Sequence, residues 1–184
     1  MLNTKKAMLA LADGFEEIEA IGTIDILRRA EIKVITVSVG GYTVTSARGI
    51  KIMPDMLIEN CCDCEFDAII LPGGSGGSEI LAESEILINM LKKQIQRKAY
   101  IAAICAAPAL VLAGNHLLGN AKATCYPIPE FIDMIENYTD EKVVVSDGFV
   151  TSQGIGTVFD FSLKLVELLV SADKANELAA DMLI

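Results

Sequence analysis

The sequence predicts an α/β fold in which helices cover both faces of a mostly parallel sheet. Short continuous apolar runs, such as KAMLALA at Lys6–Ala12, are typical of strands that are buried on both faces. Amphipathic stretches of about 10–15 residues separate these runs, as βαβ units require. Because crossovers between parallel strands are right-handed, the helices are expected on both sides of the sheet.

The apolar runs give the strands in chain order. The segment YTVTSARGIKIMPD has the pattern of a small hairpin beside the sheet, and the Asp-Gly pair in KVVVSDGFVTS is typical of a tight hairpin turn. The strand FDAIILPGG runs into a glycine loop. The predicted strands are Lys6–Ala12, Lys33–Val39, Phe66–Gly74, Tyr100–Ile104, Lys122–Cys125 and the two arms of Lys142–Ser152.

Helical spacing of apolar residues gives the helices, for example at Ile18, Ile21, Ile24 and Leu27. A basic end suits the C-terminus of the helix that ends at Lys98. Thr157 is positioned as a helix cap. The predicted helices are Phe15–Ala30, Ser84–Lys98, Ala106–Ala113, Gly156–Val170 and Ala172–Leu183.

Composition narrows the class of protein. The chain has 184 residues, which fits one domain spanning 1–184 with a full core. A net charge of −10 makes nucleic acid an improbable partner. No apolar run reaches the roughly 18 residues of a membrane span. AMLALA is too short for the apolar part of a signal peptide and DGFEE interrupts it, so a cytoplasmic protein is expected.

The cysteine and histidine counts narrow the chemistry. Five cysteines without a secretion signal are typical of free thiols in a reducing compartment. His116 is the single histidine, so a multi-histidine metal site is excluded. The adjacent cysteines of CCDC (Cys61, Cys62, Cys64) are poor tetrahedral ligands and no second ligand pair lies nearby. We therefore expect no metal site and interpret CCDC as a loop of free thiols.

Three chemistry-bearing features follow strands, and in parallel sheets sites lie at the carboxyl ends of strands. Cys105 lies at a strand-to-helix junction among small alanines, as a nucleophile elbow requires. A helix N-terminus there would stabilise its thiolate. A buried cysteine that only fills the core has the same local pattern, so both interpretations stay open on these residues alone.

The other two features are the glycine loop and an acidic segment. The loop LPGGSGG, which includes Gly73 and Gly74, lacks the dinucleotide and P-loop patterns and is either a tight turn or a source of oxyanion N–H donors. Glu19 of DGFEEIEA lies near the apolar stripe of its helix. It either complements the helix dipole or is desolvated with a raised pKa.

In combination these segments resemble the ThiJ/PfpI superfamily, most closely its Parkinson-disease-associated deglycase branch with the bacterial YajL-like proteins. The matching stretches recur in family order along nearly the whole chain. They are DGFEEIEA, ILRRAEIKV, DAIILPGG, IAAICAAPALVLA and VTSQGIGT. The resemblance implies a flavodoxin-like three-layer sandwich, related to the class I glutamine amidotransferase domain, that forms a homodimer without a cofactor.

The resemblance also implies roles for individual residues. Cys105 would be a nucleophile of low pKa, and Glu19 the carboxyl group hydrogen-bonded to its thiol. The N–H groups of Gly74 and Ala106 would form the oxyanion hole. The substrate pocket is expected to include Gly73, Arg48, Tyr126 and, from a partner chain, Arg29.

The sequence departs from the family at both of its histidines. Ala106 follows the nucleophile where protease-like members have histidine, and Tyr126 stands where human-type members have histidine. Gln153 replaces the arginine of human-type members, as in the YajL-like group. His116 is expected at the surface, too far along the helix to assist Cys105. Without an imidazole to protonate an amine leaving group, an intracellular cysteine peptidase is the less favoured function.

Two functions remain. The first is a cysteine-dependent deglycase or glyoxalase III that converts methylglyoxal, or its early adducts on protein or nucleotide, to hydroxy acids. The second is a redox-sensing chaperone whose cysteine is oxidised to a sulfinate with little turnover. A flavin-binding relative is disfavoured, since the glycine loop has no hydroxyl-rich phosphate pattern.

Overall fold

The computed structural model describes residues 4–184 of the chain. Its strands are β1 (Lys6–Leu11), β2 (Lys33–Ser38), β3 (Val44–Thr45), β4 (Lys51–Ile52), β5 (Met56–Leu57), β6 (Ala68–Leu71), β7 (Tyr100–Ile104), β8 (Val143–Ser146) and β9 (Phe149–Ser152). Its α-helices are α1 (Glu17–Arg29), α2 (Ser75–Glu83), α3 (Glu85–Gln96), α4 (Pro129–Ile132), α5 (Val158–Leu169) and α6 (Ala172–Asp181).

The main sheet of this part of the chain has the strand order β5-β2-β1-β6-β7-β9-β8. All its neighbours run parallel except β8, which pairs antiparallel with β9 across the Asp-Gly turn. The segment 42–55 forms the expected small hairpin, β3 with β4, outside the main sheet. The mostly parallel α/β prediction is therefore confirmed.

The strand order reverses between β1 and β6. From β1 the chain moves outward to β2 and β5, and then returns to β6 on the other side of β1. In open parallel sheets this switch point opens a crevice at the carboxyl ends of the two central strands. The loops after β1 and β6, together with the neighbouring end of β7, therefore share one place at this edge.

Alternating side chains of the strands build a core on each face of the sheet. In β1, Met8 and Ala10 join the cluster that α2 and α3 cover, whereas Leu9 and Leu11 join the cluster under α1, α5 and α6. Every residue of β1 after Lys6 is buried, as the continuous apolar run predicts. The result is the expected three-layer arrangement.

The glycine-rich stretch differs from its prediction as a loop. Gly74 is the N-cap of α2, which begins at Ser75 and ends at Glu83, before a separate helix starts at Glu85. Ser84 separates the two helices, and its hydroxyl accepts a hydrogen bond from the Leu87 N–H group. The helical spacing of 84–98 indicates α3 in the sequence. Helix α2 gave no such signal, because glycine has a low helix propensity.

Three further local predictions need correction. The segment Lys122–Cys125 is not a strand; it makes only an isolated bridge, from Ala123 to Tyr138. Pro108–Ala113 is π-helical rather than α-helical, with the Gly114 N–H group donating to the Ala109 carbonyl. Thr157 occupies the cap position of α5, but its hydroxyl bonds to Gly154 and Ser152 instead of capping the helix.

The N-terminal stretch that was compared with a signal peptide forms β1 from Lys6 onward, and residues 1–3 lie outside the described part. Within residues 4–184, no helix combines the length and the apolar character needed to cross a membrane.

Candidate active site

Cys105 occupies a strained turn between β7 and the π-helical segment. Its φ is +65°, a left-handed conformation that is uncommon for residues other than glycine. The turn is fixed by two hydrogen bonds: the Cys105 N–H group donates to the Ser152 carbonyl (3.0 Å), and its carbonyl accepts from the Tyr126 N–H group (2.8 Å). This geometry is that of a nucleophile elbow and disfavours a role as core filler.

Gly73 makes the close approach of three segments possible. A Cβ atom at this position would lie 2.5 Å from Cys105 Cβ and 2.6 Å from Glu19 Oε2. Only glycine therefore fits between the end of β6, the elbow and the carboxyl group. Gly73 is buried behind the pair and does not line the cavity, in contrast to its expected place in the substrate pocket.

Glu19 projects from the first turn of α1 into the same place. The Glu16 carboxylate accepts a hydrogen bond from the Glu19 N–H group (2.8 Å) and so caps the helix. Glu19 is almost fully buried, and its Oε2 accepts from the Gly73 N–H group at 2.8 Å. Its other oxygen, Oε1, is buried without a hydrogen-bond partner among the described residues.

The unpartnered oxygen lies beside the sulfur. A Cβ atom placed on Gly154 would be 3.8 Å from Glu19 Oε1 and 3.9 Å from Cys105 Sγ, so both atoms face Gly154, and the Cys105 thiol is a hydrogen-bonding neighbour of the carboxyl group. Desolvation is the main reason that the pKa of Glu19 rises to about 7. The Glu16 charge adds to this rise, and the Gly73 hydrogen bond opposes it. The predicted desolvated carboxyl group with a raised pKa is confirmed.

The prediction of a low pKa for Cys105 is wrong for the state of the protein in which Glu19 is ionised. Burial, followed by the negative charge of Glu19, raises the pKa of the Cys105 thiol to about 12. The N–H groups of Gly74 and Ala106 are hydrogen-bonding neighbours of the sulfur and lower that pKa. Protonation of Glu19 removes the repulsion and supplies an O–H donor, so the two groups titrate as a pair.

A cavity of about 590 Å³ opens above this pair. Arg48 and Tyr126 line it, as expected, and Arg48 makes no ion pair within residues 4–184. Arg29 does not reach the cavity of its own chain; it is exposed and pairs with Asp25 at 2.7 Å. A contribution of Arg29 from a second chain stays a prediction.

One wall of the cavity was not predicted from local sequence patterns. It consists of Gln153 to Thr157 together with the segment from Tyr126 to Phe131. The Gln153 side-chain amide donates to Asp140 at 2.8 Å, which fixes its orientation. The family stretch VTSQGIGT covers the first segment and the resemblance implied Tyr126, whereas nothing in the sequence indicated Pro127, Ile128 and Phe131.

The remaining titratable candidates lie elsewhere. His116 is exposed and is not among the residues that line the cavity. Cys125 is buried behind Tyr126, where desolvation raises its pKa to about 11. All five cysteines are free thiols in this structure. Across residues 4–184, no group of three or more histidine, cysteine or acidic side chains is arranged to hold a metal ion.

Comparison with known proteins finds relatives over most of the chain. The model of the DJ-1/PfpI family matches residues 5–168. Protein dj-1beta of Drosophila melanogaster is 40% identical over 185 residues, covering 98% of each chain. A Caenorhabditis elegans protein named glutathione-independent glyoxalase DJR-1.2 is 38% identical over 183 residues, covering 97% of this chain and 96% of the relative.

Solved structures show the same fold. The structure described as oxidized Toxoplasma gondii DJ-1 superposes with a TM-score of 0.94 at 38% identity, covering 98% of each chain. The chain spans only 42% of an Arabidopsis thaliana relative, protein DJ-1 homolog B. The matched residues include the elbow, the glycine stretch and the acidic helix start, and the chain belongs to the DJ-1/PfpI family.

Proposed function

We propose that the chain is a cofactor-independent glyoxalase and deglycase that acts on methylglyoxal or on its early adducts with protein or nucleotide. The observation that carries this proposal is the Cys105–Glu19 pair, with Gly74 and Ala106 N–H groups at the sulfur and no histidine in the cavity wall. The name of the C. elegans relative supports the same class of reaction.

In the proposed reaction, the Cys105 thiolate adds to the aldehyde carbon of methylglyoxal. The carbonyl oxygen becomes an oxyanion that the Gly74 and Ala106 N–H groups stabilise. Glu19 is protonated when the thiolate forms and gives that proton to the oxyanion. A hemithioacetal with the adjacent ketone results, and Glu19 is left as the carboxylate.

Glu19 then moves a proton between two carbons. Its carboxylate removes the hydrogen from the hemithioacetal carbon, and the resulting enediol is protonated at the neighbouring carbon. The product is a thioester of lactate on Cys105. Water attacks the thioester carbon and the C–S bond breaks, which gives lactate and restores the thiol. A pKa near 7 suits a group that must alternate between acid and base.

The mouth of the cavity supports a small polar substrate. Arg48 lines it without an acidic partner in the described chain, and we propose that it attracts the carbonyl or the anionic part of an adduct. Helix α1 leaves Ile18 and Ile21 exposed on one side. We propose that a second copy covers these residues and brings its Arg29 toward the mouth.

The test compares wild type with Cys105→Ala and Glu19→Gln in methylglyoxal consumption and lactate release. Loss of activity by at least about 100-fold in both variants is expected, because each removes a group that acts in bond making. Unchanged consumption in Cys105→Ala contradicts the proposal. Light scattering of the same samples tests the dimer, with Ile21→Glu as the variant expected to be monomeric. A single cytoplasmic domain is part of this proposal.

A redox-sensing chaperone is the second candidate. The observation in its favour is that N–H donors surround a half-buried sulfur, which is a suitable setting for a sulfinate. Intact mass after mild peroxide separates the two functions. Two oxygens added at Cys105, in a protein without measurable turnover, favour the sensor. Full turnover with no selective oxidation favours the enzyme.

A further inference from the structure

The CCDC segment forms a turn whose two ends are cysteines. Between β5 and β6, the Cys64 N–H group donates to the Cys61 carbonyl at 2.9 Å. A bond of this type closes a four-residue turn, and it holds the first and fourth Cα atoms within about 7 Å. Disulfides join Cα atoms that are about 4.4–6.8 Å apart. Cys61 and Cys64 are thus at a spacing that a disulfide can bridge.

The two cysteines differ sharply in exposure. Cys61 is buried in the core, and its thiol donates to the Ile58 carbonyl at 3.5 Å. Burial, with smaller contributions from the neighbouring thiols, raises the pKa of Cys61 to about 11. Cys64 is exposed to solvent. A small oxidant therefore reaches Cys64 before Cys61, and Cys61 remains a protonated thiol.

Two exposed ion pairs link this segment to α3, in addition to the apolar packing of Cys61 in the core. Lys93 pairs with Asp63 at 3.3 Å, and Arg97 pairs with Glu65 at 3.2 Å. Exposed ion pairs of this kind contribute little to stability. They keep Cys64 at a cleft of about 190 Å³ and still allow the turn to adjust when a bond forms.

This turn is at the opposite edge of the sheet from the Cys105–Glu19 pair. It precedes β6, whereas Gly73 follows the carboxyl end of that strand. The two thiol regions cannot exchange a disulfide directly.

We propose that Cys61 and Cys64 form a second, reversible redox site that a hydroperoxide oxidises to a disulfide. The Cys64 sulfur attacks the peroxide oxygen, so that an S–O bond forms, the O–O bond breaks, and water or an alcohol leaves. The Cys61 sulfur then attacks the Cys64 sulfenic acid. The S–S bond forms and the S–O bond breaks, and the Cys61 proton leaves with the hydroxide as water.

Cys62 serves as an internal control. It is half-buried and lines the same cleft, but its thiol is directed to the Glu59 carbonyl at 3.6 Å. It lies inside the turn, directly after Cys61 and two residues before Cys64, whereas the turn hydrogen bond pairs only the two end residues. The proposal therefore assigns no bond to Cys62.

The experiment uses the full chain with Cys105→Ala, so that oxidation at the elbow does not interfere. Hydrogen peroxide is added, free thiols are blocked with N-ethylmaleimide under denaturing conditions, and peptides are mapped with and without dithiothreitol. We expect a peptide that has lost two hydrogens, is blocked only at Cys62, and regains both other thiols after reduction. A peptide that is blocked at all three cysteines overturns the proposal.

Variants separate the roles of the two residues. Cys62→Ser is expected to keep the disulfide, and Cys64→Ser to lose it. In Cys61→Ala, dimedone is expected to trap a sulfenic acid at Cys64. If Cys61→Ala does not fold, the exposed position of Cys64 still allows the Cys64→Ser test. A disulfide that persists in Cys64→Ser or disappears in Cys62→Ser contradicts the proposal.

Discussion

Cys105 and Cys64 both lie in turns next to strands of one sheet, but the two turns are specified in different ways. Long-range contacts fix the Cys105 turn, with Glu19 from the first helix, Gly73 from the end of β6 and Ser152 from β9. The Cys64 turn is closed by a bond within its own four residues and is held by exposed ion pairs to α3.

The difference gives a physical reason for proposing two chemistries for the same amino acid. At the carboxyl edge, burial beside a carboxyl group couples the thiol to a proton donor and suits it to carbonyl chemistry. At the amino edge of the sheet, the turn places Cys61 near Cys64. A second thiol at this distance would make Cys64 suitable for reversible oxidation. The contrast also predicts that substitutions at the carboxyl edge change stability more than substitutions in the CCDC turn.

The largest effect is expected from Glu19→Gln. Because the folded pKa of Glu19 is raised from 4.5 to about 7, the fold binds more protons than the unfolded chain between these values. The stability of the wild type therefore falls as pH rises through this window. A shift of this size corresponds to about 3 kcal/mol. Gln carries no charge, so the variant should be more stable than wild type by about this amount at pH 8, within a factor of two.

Urea unfolding at acidic and basic pH measures this difference. The advantage of Glu19→Gln should vanish below the unfolded pKa of glutamate. The same comparison in a Cys105→Ala background is the control. Since desolvation is the largest cause of the raised pKa of Glu19, the effect should persist there. An equal advantage at every pH would falsify the assignment of the effect to this ionisation.

Gly73→Ala is expected to have the next largest effect. Its Cβ would meet Cys105 Cβ at 2.5 Å and the Ile104 carbonyl at 3.0 Å, and backbone atoms cannot move aside cheaply. We expect a loss of about 1–3 kcal/mol in the free energy of unfolding, as in other overpacked sites. Gly76→Ala is the matched control, because a Cβ there meets nothing within 4 Å and the residue lies in α2. It should be neutral or slightly stabilising, and an equal loss in both variants contradicts the close approach.

Cys61→Ala should have a smaller effect. The side chain is in the core, so the loss of its sulfur leaves a small void that costs about 1 kcal/mol. Turnover of methylglyoxal per folded molecule should stay at the wild-type value, because Cys61 is at the opposite edge of the sheet. Chemical unfolding and the activity assay are run on the same preparation. A drop in turnover would show that the two edges are coupled.

Cys64→Ser is expected to have the smallest effect. The residue is exposed, and its turn bond is made by the backbone, so the free energy of unfolding should change by less than about 0.5 kcal/mol under reducing conditions. After peroxide treatment, the unfolding temperatures of the wild type and the variant should differ, since only the wild type can form the Cys61–Cys64 disulfide. Thermal unfolding with and without prior oxidation measures this. A large change under reducing conditions would remove the contrast between the two turns.

Much of the fold was predictable because its signals are local. The apolar run of β1 and the Asp-Gly turn between β8 and β9 each identify an element within a few residues. The start of α2 inside a glycine-rich stretch was missed, because its stability comes from packing rather than from propensity. The π-helical register of Pro108–Ala113 has no period that a sequence pattern distinguishes from an α-helix.

The site was only partly predictable, because only some of its residues carry a local signal in the sequence. Cys105, Glu19 and the glycines follow strands or begin a helix, so their convergence could be predicted from topology. The place of Gln153 to Thr157 in the cavity wall depends on how β9 enters its following helix, which the family stretch VTSQGIGT does not by itself reveal. The pKa of Cys105 was predicted in the wrong direction, because the sign depends on whether a carboxyl group distant in sequence is charged.

The strained backbone at Cys105 has a consequence for biosynthesis. The bond from the Cys105 N–H group to the Ser152 carbonyl cannot form until β9 has left the ribosome and paired with β7. Until then the nascent chain carries an ordinary cysteine in a relaxed conformation, without its carboxyl partner held in place. The strained turn, and with it the setting that the proposed reaction requires, is therefore completed only late in synthesis.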